Sequence, residues 1–322
     1  MEQYVIGIDV GGQSSKLGVV DQRGNILAQS VISSLQTDLD EYLTDLTKAI
    51  KALVDKVSDT GTIKGIGIGA PNGNYYKGSI ENAPNLVWGR DRNGNLIEIH
   101  LANLINNATG YPVAITNDAN AAAVGEMTYG TAKGMKNFIM ITLGTGVGSG
   151  IVIDGKVVYG HDGFAGELGH TTAIRDGRQC NCGLKGCLET YSSAIGVART
   201  VKEILTKSTE ESLLRQVDFE TLSSKDVFEA AEKGDKLALE TFEFTGKLLG
   251  EAFANFVSFS APEAIVLFGG LTKARKYIEP PIVKHMNNNL LTIWRNKIKI
   301  EFSNLKDSDA AILGASALAW EL

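Results

Sequence analysis

A pattern of strand, glycine-rich turn and strand occurs twice along the chain, and it constrains the fold more than any other feature. The first copy, IGIDVGGQSSKLGVV, lies at 6–20, and the second, NFIMITLGTGVGSGIVI, lies at 137–153. In both copies, β-rich apolar runs flank the glycines. A repeated unit of this kind predicts two related α/β domains that face each other, with a boundary near residue 117.

Local patterns predict the remaining elements. Apolar residues recur at helical spacing over 38–58, with Asp38 near the N-cap, and an alanine-rich helix is predicted to begin at about Asp118. Further strands are predicted at 3–10, 16–20, 26–32, 63–71, 112–116, 264–268 and 297–302, and further helices at 193–207, 225–233, 235–260 and 309–320.

Composition limits the classes of function. The 322 residues carry a net charge of −6 without a basic cluster, which argues against a nucleic-acid-binding surface. The N-terminus resembles a first strand and not a signal peptide, and no stretch of 18 apolar residues predicts a membrane span. We therefore expect a cytoplasmic protein with no nucleic-acid or membrane partner.

The glycine-rich turns are candidate phosphate sites, because glycines let the backbone approach a phosphate and direct its N–H groups toward it. Asp9 is placed to hold Mg²⁺ through water, and a third turn at 268–272 is a candidate for nucleoside contact. The alternative is ordinary hairpin turns, which two turns at matching points of a repeat disfavour. The candidate nucleotide-binding residues are Asp9, Gly11, Gly12, Gln13, Lys16, Gly144, Thr145, Gly146, Gly148, Gly269 and Gly270.

A histidine and three cysteines lie within eighteen residues: His170, Cys180, Cys182 and Cys187. Three thiolates and one imidazole suit tetrahedral Zn²⁺ in a closed structural site. The alternative is three buried free cysteines, but the flanking residues are polar. The spacing therefore predicts a structural zinc that shapes a site without performing chemistry.

Three carboxylates are candidates for the chemistry itself. Asp118 lies where a strand meets a helix, and the helix N-terminus is expected to lower its pKa and favour proton acceptance. The alternative role for Asp118 is a plain N-cap. Glu167 and Glu189 flank the cysteine loop, so a bound zinc would hold them near each other as acceptors for sugar hydroxyls.

Taken together, these residues resemble the ROK family of sugar kinases and repressors, and most closely its ATP-dependent bacterial glucokinases. The motifs that carry the resemblance span nearly the whole chain: DVGGQSSK at 9–16, GAPNG at 69–73, NDANAAA at 117–123, LGTGVGSG at 143–150, GELGH at 166–170, CNCGLKGCLE at 180–189, FGG at 268–270 and AAILGAS at 310–316.

The resemblance implies an α/β, two-domain actin-like ATPase (ribonuclease H-like) fold with a ligand cleft between the domains. The smaller domain would comprise 1–117 and be joined by the C-terminal helix at about 305–322. The larger domain would comprise 118–304 and carry the zinc loop. Family members are often dimers or tetramers, so a homodimer or homotetramer is expected.

The resemblance also assigns roles within the site. Asp118 would be the general base, and His170 would serve twice, with one ring nitrogen on zinc and the other toward the sugar. Sugar contacts are expected from Gly73, Asn85, Asn117, Asp118, Glu167, His170 and Glu189. Two positions depart from the family pattern, since Gln13 replaces the usual threonine and Asn72 stands between the proline and glycine of GAPNG.

The function this implies is phosphorylation of glucose to glucose 6-phosphate with ATP and Mg²⁺. A kinase for N-acetylmannosamine, N-acetylglucosamine, fructose or allose is the main alternative. A sugar-sensing regulator would carry a DNA-reading segment before the first strand, which is expected to begin at about residue 3. A chaperone-type actin-like ATPase would lack the cysteine loop.

Overall fold

The computed structural model of the protein describes residues 1–306 and 308–322. Its strands are β1 (Glu2–Val10), β2 (Ser14–Val20), β3 (Ile26–Ser33), β4 (Gly61–Ala70), β5 (Gly73–Asn74), β6 (Ser79–Glu81), β7 (Glu98–Ile99), β8 (Val113–Asn117), β9 (Phe138–Leu143), β10 (Val147–Ile153), β11 (Lys156–Val157), β12 (Ala264–Phe268) and β13 (Lys299–Phe302). Its α-helices are α1 (Leu39–Val57), α2 (Leu101–Thr109), α3 (Asp118–Tyr129), α4 (Glu189–Ser192), α5 (Ala194–Lys207), α6 (Ser224–Glu232), α7 (Lys236–Ser260), α8 (Arg275–Asn289) and α9 (Ala310–Ala319).

The chain divides into two compact units. Unit 1 comprises Met1–Met135, Gly150–Gly166 and Asn304–Leu322, and unit 2 comprises Lys136–Ser149 and Glu167–Ser303. This division differs from the predicted boundary near residue 117, because α3 packs against α9 and β4 and so stays in unit 1. Residue 307, within the predicted C-terminal segment 305–322, lies outside the described residues.

Unit 1 is built on a five-stranded sheet in the order β3-β2-β1-β4-β8. The β1–β2 and β2–β3 pairs are antiparallel, whereas β1–β4 and β4–β8 are parallel. The carboxyl ends of β1, β4 and β8 therefore meet at one edge of the sheet. Helices α1 and α2 bury their apolar faces against the same core as β1 and β4, so this edge is held on a rigid frame.

Unit 2 is built on the parallel strands β9, β12 and β13, which belong to a five-stranded sheet in the order β11-β10-β9-β12-β13 with β13 at its edge. Helices α5, α7 and α8 supply most of the apolar core that packs on these strands. Because β9 and β12 are parallel neighbours, the turns after them lie at the same edge. Those turns are the second and third glycine-rich segments of the sequence.

Most predicted elements form, including the first helix. The side chain of Asp38 caps α1 by accepting hydrogen bonds from the N–H groups of Asp40 and Glu41. The helices α2, α4 and α8 and the small sheet of β5, β6 and β7 were not predicted. Within the described residues, no helix combines the length and apolar character needed to cross a membrane.

Candidate active site

The predicted site residues of unit 1 lie at the edge where its parallel strands end. Asp9 is near the end of β1, Asn117 ends β8 and Asp118 begins α3. Gly73, just after β4, lies against the end of β8, since a Cβ there would be 2.3 Å from the carbonyl oxygen of Thr116. Any larger residue at 73 would push this loop away from the end of β8.

Asn117, and not Asp118, is the cap of α3. The side-chain oxygen of Asn117 accepts hydrogen bonds from the N–H groups of Ala119 at 2.8 Å and Asn120 at 3.4 Å. The plain N-cap role considered for Asp118 is therefore wrong. Asp118 Oδ1 also accepts from the N–H of Ala119, at 2.8 Å, and this bond orients a carboxylate that keeps access to solvent.

The predicted lowering of the Asp118 pKa is also wrong in direction. Loss of hydration among the surrounding protein atoms raises the pKa of Asp118, and the backbone N–H groups of Ala119 and of Asp118 itself oppose that rise only in part. A carboxylate with a raised pKa is a stronger base than an ordinary aspartate.

Asp9 is perturbed in the same direction. Burial, and then the negative charge of Asp118, raise the pKa of Asp9 to about 6, whereas Lys16 lowers it. Lys16 is the residue directly opposite Asp9 in the β1–β2 pair. The two carboxylates thus interact electrostatically, as expected where a cation is to be held.

The first glycine turn and Asn85 are brought together. The N–H of Gly11 donates to the carbonyl of Ser14 at 3.1 Å and closes the turn. A Cβ on Gly12 would lie 2.7 Å from the carbonyl oxygen of Asn85. The side chain of Gln13 is exposed. The backbone carbonyl of Gln13 accepts a hydrogen bond from the N–H of Ser34 at 3.0 Å.

In unit 2 the second and third glycine turns also adjoin each other. Gly269 has a φ of 108°, and a Cβ there would lie 2.6 Å from the carbonyl oxygen of Leu143. The N–H of Gly148 donates to Thr142 Oγ1 at 3.1 Å, and the N–H of Ala194 donates to the carbonyl of Gly144 at 2.8 Å. Helix α5 therefore begins directly against the second turn.

Two pockets of unit 2 open beside Thr145. The larger, of about 440 Å³, has apolar walls from α5 and a following loop together with two cationic side chains; its lining includes Thr145, Ile195, Ala198, Arg199, Lys202 and Leu222. The smaller, of about 260 Å³, includes Gly146, Gln179, Glu189 and Arg199 in its lining. The α5 residues were not predicted to belong to a site. In the sequence, these residues are marked only by an apolar residue, Ile195, at the start of the predicted helix, and Ile195 is exposed in the structure.

Glu189 is anchored on the second glycine turn. Its Oε2 accepts a hydrogen bond from the N–H of Val147 at 2.9 Å, and a Cβ on Gly146 would lie 2.4 Å from the same oxygen. Its Oε1 lies 3.9 Å from Cys180 Sγ. Glu167 is exposed just before the short turn that ends at His170. The predicted nearness of Glu167 to Glu189 stays a prediction.

The histidine and cysteine side chains converge as predicted. The four ligand atoms of His170, Cys180, Cys182 and Cys187 lie within 4.8 Å of one another. The Cys182 and Cys187 sulfurs are 3.7 Å apart, as are Cys180 Sγ and His170 Nδ1. Tetrahedral coordination with zinc–sulfur bonds of about 2.3 Å places ligand atoms roughly 3.7 Å apart. The cluster therefore fits a structural Zn²⁺ that has all four positions filled by protein.

Arg178 fixes this loop to the body of unit 2, a role that the sequence did not reveal. Its buried guanidinium forms a two-pronged pair with Glu203 at 3.0 and 2.9 Å, and it also donates to the carbonyl of Thr190 at 2.7 Å. The Arg178 N–H donates to the hydroxyl of Tyr191, whose ring lies 4.4 Å below the guanidinium. The loop therefore has an anchor besides the metal.

The zinc assignment predicts that elemental analysis finds one zinc per chain. Cys187→Ser replaces a thiolate with a poor zinc ligand, so we expect the zinc content to fall well below one half per chain. Asn181→Ser, an exposed neighbour in the same loop, is the control and should keep its metal. Folded wild-type protein without zinc would contradict the assignment.

The raised pKa of Asp9 predicts a pH-dependent gain in stability for Asp9→Asn. The ordinary pKa is 3.8 and the folded value is about 6, so above pH 6 the wild type carries a charge that folding disfavours. We expect the variant to unfold a few degrees higher at pH 7.5, with the difference shrinking as the pH falls from 6 toward 4. Differential scanning calorimetry measures this, with Asp55→Asn as the surface control. A gain that grows toward acid would refute the assignment.

Comparisons with known proteins agree with this arrangement. A model of the ROK family matches residues 5–321. A glucokinase from Halalkalibacterium halodurans is 37% identical over 98% of this chain and 95% of its own length. A ROK family glucokinase from Streptomyces griseus, solved with glucose and AMPPNP, is 30% identical with a TM-score of 0.78, covering 99% of this chain and 100% of its own.

A ROK family transcriptional regulator, described as a homologue of the E. coli MLC protein, has a TM-score of 0.87 at 27% identity. It covers all of this chain, which spans 78% of the regulator. These likenesses confirm the predicted fold class. Because the family match and the glucokinase relatives extend over nearly the whole chain, the protein belongs to the ROK family.

Proposed function

We propose that this protein phosphorylates glucose, transferring the γ-phosphoryl group of ATP to the 6-hydroxyl. One observation carries the proposal: Asp9 and Asp118 lie at the same edge of the unit 1 sheet, beside a glycine turn. Burial raises the pKa of both carboxylates, and the charge of Asp118 raises that of Asp9 further. Phosphoryl transfer needs one carboxylate near a metal ion and another near the attacking hydroxyl.

Asp118 is the general base in this proposal. Its Oδ1 is held by the N–H of Ala119, so the carboxylate has a defined direction while remaining open to solvent. The raised pKa strengthens it as an acceptor for the proton that the sugar hydroxyl loses. The Asn117 side chain holds the helix start in place.

Asp9 is the residue placed to hold Mg²⁺ through water. The repulsion between Asp9 and Asp118 fits a cation, because a positive ion would relieve it and return the pKa of Asp9 toward its ordinary range. When bound with ATP, Mg²⁺ neutralises charge on the phosphoryl oxygens. Lys16 and the backbone of Gly11 and Gly12 would contact phosphate at the same turn.

The 440 Å³ pocket of unit 2 suits the nucleoside. Ile195, Ala198 and Leu222 give it apolar walls for a base, and Lys202 adds a cation at its rim. Thr145 lines this pocket and also stands in the second glycine turn, where backbone N–H groups suit phosphate oxygens. Gly269 and Gly270 complete the same edge.

The hexose contacts in this proposal are the ones that the resemblance to the ROK family implies: Gly73, Asn85, Asn117, Glu167, His170 and Glu189. In the cysteine cluster His170 Nδ1 faces the sulfur of Cys180, which leaves Nε2 for a hydroxyl. A zinc ion would hold the ring in that orientation without taking part in the transfer.

Glucose is favoured over other hexoses by the relatives alone. The 37%-identical relative is a glucokinase, and the Streptomyces griseus structure holds glucose. N-acetylmannosamine, N-acetylglucosamine, fructose and allose are the alternatives within the same chemistry. A non-catalytic, sugar-sensing role is the second candidate, because the regulator structure is also similar over this whole chain.

An ADP-release assay with these five sugars tests the proposal. We expect turnover to be fastest with glucose, with kcat/KM at least about tenfold above the next sugar, which requires about 1.4 kcal/mol of discrimination. Preference for another hexose would overturn the assignment of glucose and retain the kinase. Sugar binding without any ADP release would favour the sensing role.

Asp118→Asn tests the base separately. The amide keeps the shape of the side chain and its bond to Ala119 but cannot accept the proton, so we expect kcat to fall about 10²–10⁴-fold. The Kd for glucose, measured by calorimetry, should change by less than about threefold. Asp55→Asn, an exposed aspartate of α1, controls for loss of charge. Near-normal kcat in Asp118→Asn would remove Asp118 from the mechanism.

A further inference from the structure

A buried chain of hydroxyl groups lies directly behind the first glycine turn. Ser15 Oγ, fully buried, is 2.8 Å from Ser34 Oγ and 2.8 Å from the hydroxyl of Tyr42. A serine hydroxyl has one proton and two lone pairs, so Ser15 satisfies both neighbours at once. Ser15 is the second residue of β2, which follows the turn, so these bonds tie the turn to α1 and to Ser34, the residue after β3.

The same tyrosine reaches the Asn85 segment through its ring. Tyr42 and Trp88 are both buried, and their rings stack with centroids 4.2 Å apart at an angle of 16°. Trp88 lies three residues after Asn85. In this segment the N–H of Leu86 donates to the carbonyl of Ala83 and the N–H of Gly89 donates to the carbonyl of Leu86, which makes the segment compact. The Asn85 segment is therefore joined to Tyr42 through the Trp88 ring.

A second contact joins the same two segments without the tyrosine. The backbone of Gly12 lies against the carbonyl of Asn85, and the carbonyl of Gln13 is held by the N–H of Ser34. The turn is thus bounded by Asn85 on one side and by the Ser34–Ser15–Tyr42 hydroxyls on the other. A change in the position of Asn85 or of the hydroxyls would therefore change the space around the backbone N–H groups of the turn.

A core position of this kind would ordinarily be filled by an apolar side chain. Three buried hydroxyls cost hydration that only their mutual bonds offset, and burial together with the charge of Asp9 keeps the pKa of Tyr42 high. The Tyr42 hydroxyl therefore stays neutral and remains a hydrogen-bonding group across the working range of pH. Such a network specifies one geometry more sharply than packing alone.

We propose that Tyr42 is a positioning residue that couples the phosphate turn to the hexose-binding segment, through its hydroxyl at Ser15 and its ring on Trp88. The inference rests on the proposed function, since it takes the turn to bind the phosphates and Asn85 to bind the sugar. In this arrangement hexose at Asn85 orders the turn before the nucleotide arrives. Each ligand then raises the affinity for the other by the same factor.

The measurement is that coupling factor in the full-length protein. The Kd of a non-hydrolysable ATP analogue with Mg²⁺ is determined by calorimetry with and without a saturating hexose, using the sugar that the wild type turns over fastest. We expect the hexose to tighten nucleotide binding at least about fivefold in the wild type. In Tyr42→Phe, which keeps the ring stack and removes the hydroxyl, we expect the factor to fall at least about twofold, because only the direct contact of Gly12 with Asn85 then joins the two segments.

Matched variants separate coupling from structural support. Tyr4→Phe removes the hydroxyl of another buried tyrosine of unit 1, which bonds to Glu2, and it should keep the wild-type factor. Trp88→Phe retains an aromatic ring and should keep most of the coupling, whereas Trp88→Leu should lower it as far as Tyr42→Phe does, with the Ser15–Tyr42 bond intact. A purely structural tyrosine would lower the unfolding temperature and leave the factor unchanged.

The inference would be overturned, and the proposed function left standing, by a wild type that turns over hexose with a coupling factor of one. An undiminished factor in Tyr42→Phe would have the same consequence. Equal loss in Tyr4→Phe would also overturn it, because the effect would then follow from general destabilisation. A wild type that neither binds nor turns over any hexose would overturn the proposed function first, and this inference with it.

Discussion

The candidate site of unit 1 depends on two carboxylates, Asp9 and Asp118, that lose hydration where the parallel strands end, and the charge of Asp118 adds to the effect of burial on Asp9. Strand β4 separates β1 from β8, and strands two apart in a sheet lie roughly 10 Å from each other. Asp9 is near the end of β1 and Asp118 directly follows β8, and the charge of Asp118 contributes to the raised pKa of Asp9. The fold tolerates the cost because the sheet, the Asn117 cap and the nearby Lys16 hold both groups in place. Sites that keep like charges together in this way are typical of catalysis.

Unit 2 solves a different problem, that of holding an irregular loop still. The cysteine loop contains little regular structure, yet its residues must present His170 in one orientation. A metal at the His170 and cysteine cluster would join the loop to itself, and Arg178, which lies between His170 and Cys180, ties it to Glu203 and Thr190. Glu189 then joins the loop to the second glycine turn through the N–H of Val147. The cysteine loop and the second glycine turn are therefore parts of one assembly, so a metal bound at the cluster would lie near the candidate binding residues.

The sequence reveals what depends on local patterns and conceals what depends on distant contacts. The helix at 38–58 and its Asp38 cap follow from apolar periodicity and capping chemistry, and both form. Helix α8 was missed because Pro280 and Pro281 lie inside it, and internal prolines normally end a helix. The direction of the Asp118 pKa shift was predicted wrongly for another reason. The helix N-terminus can be recognised in the sequence, but the side chains and backbone that exclude water from the carboxylate come from segments far apart in the chain. The Tyr42–Trp88 stack joins residues 46 positions apart and leaves no local signal.

The two departures from the family pattern are resolved in the backbone. Gln13 contributes its carbonyl, bonded by the N–H of Ser34, and any side chain at 13 would leave that bond intact. Asn72 has a φ of 51°, a left-handed conformation that asparagine tolerates better than most residues. Its side-chain amide donates to the carbonyls of Glu81 and Asn82 at 2.9 and 3.2 Å. Gln13 in place of threonine therefore removes a hydroxyl from the first glycine turn, while the backbone bond from Ser34 that holds the turn needs no particular side chain. The additional residue at 72 supplies its own support, because its side chain holds the turn against the end of β6. Neither departure thus leaves its segment without a hydrogen bond that fixes it.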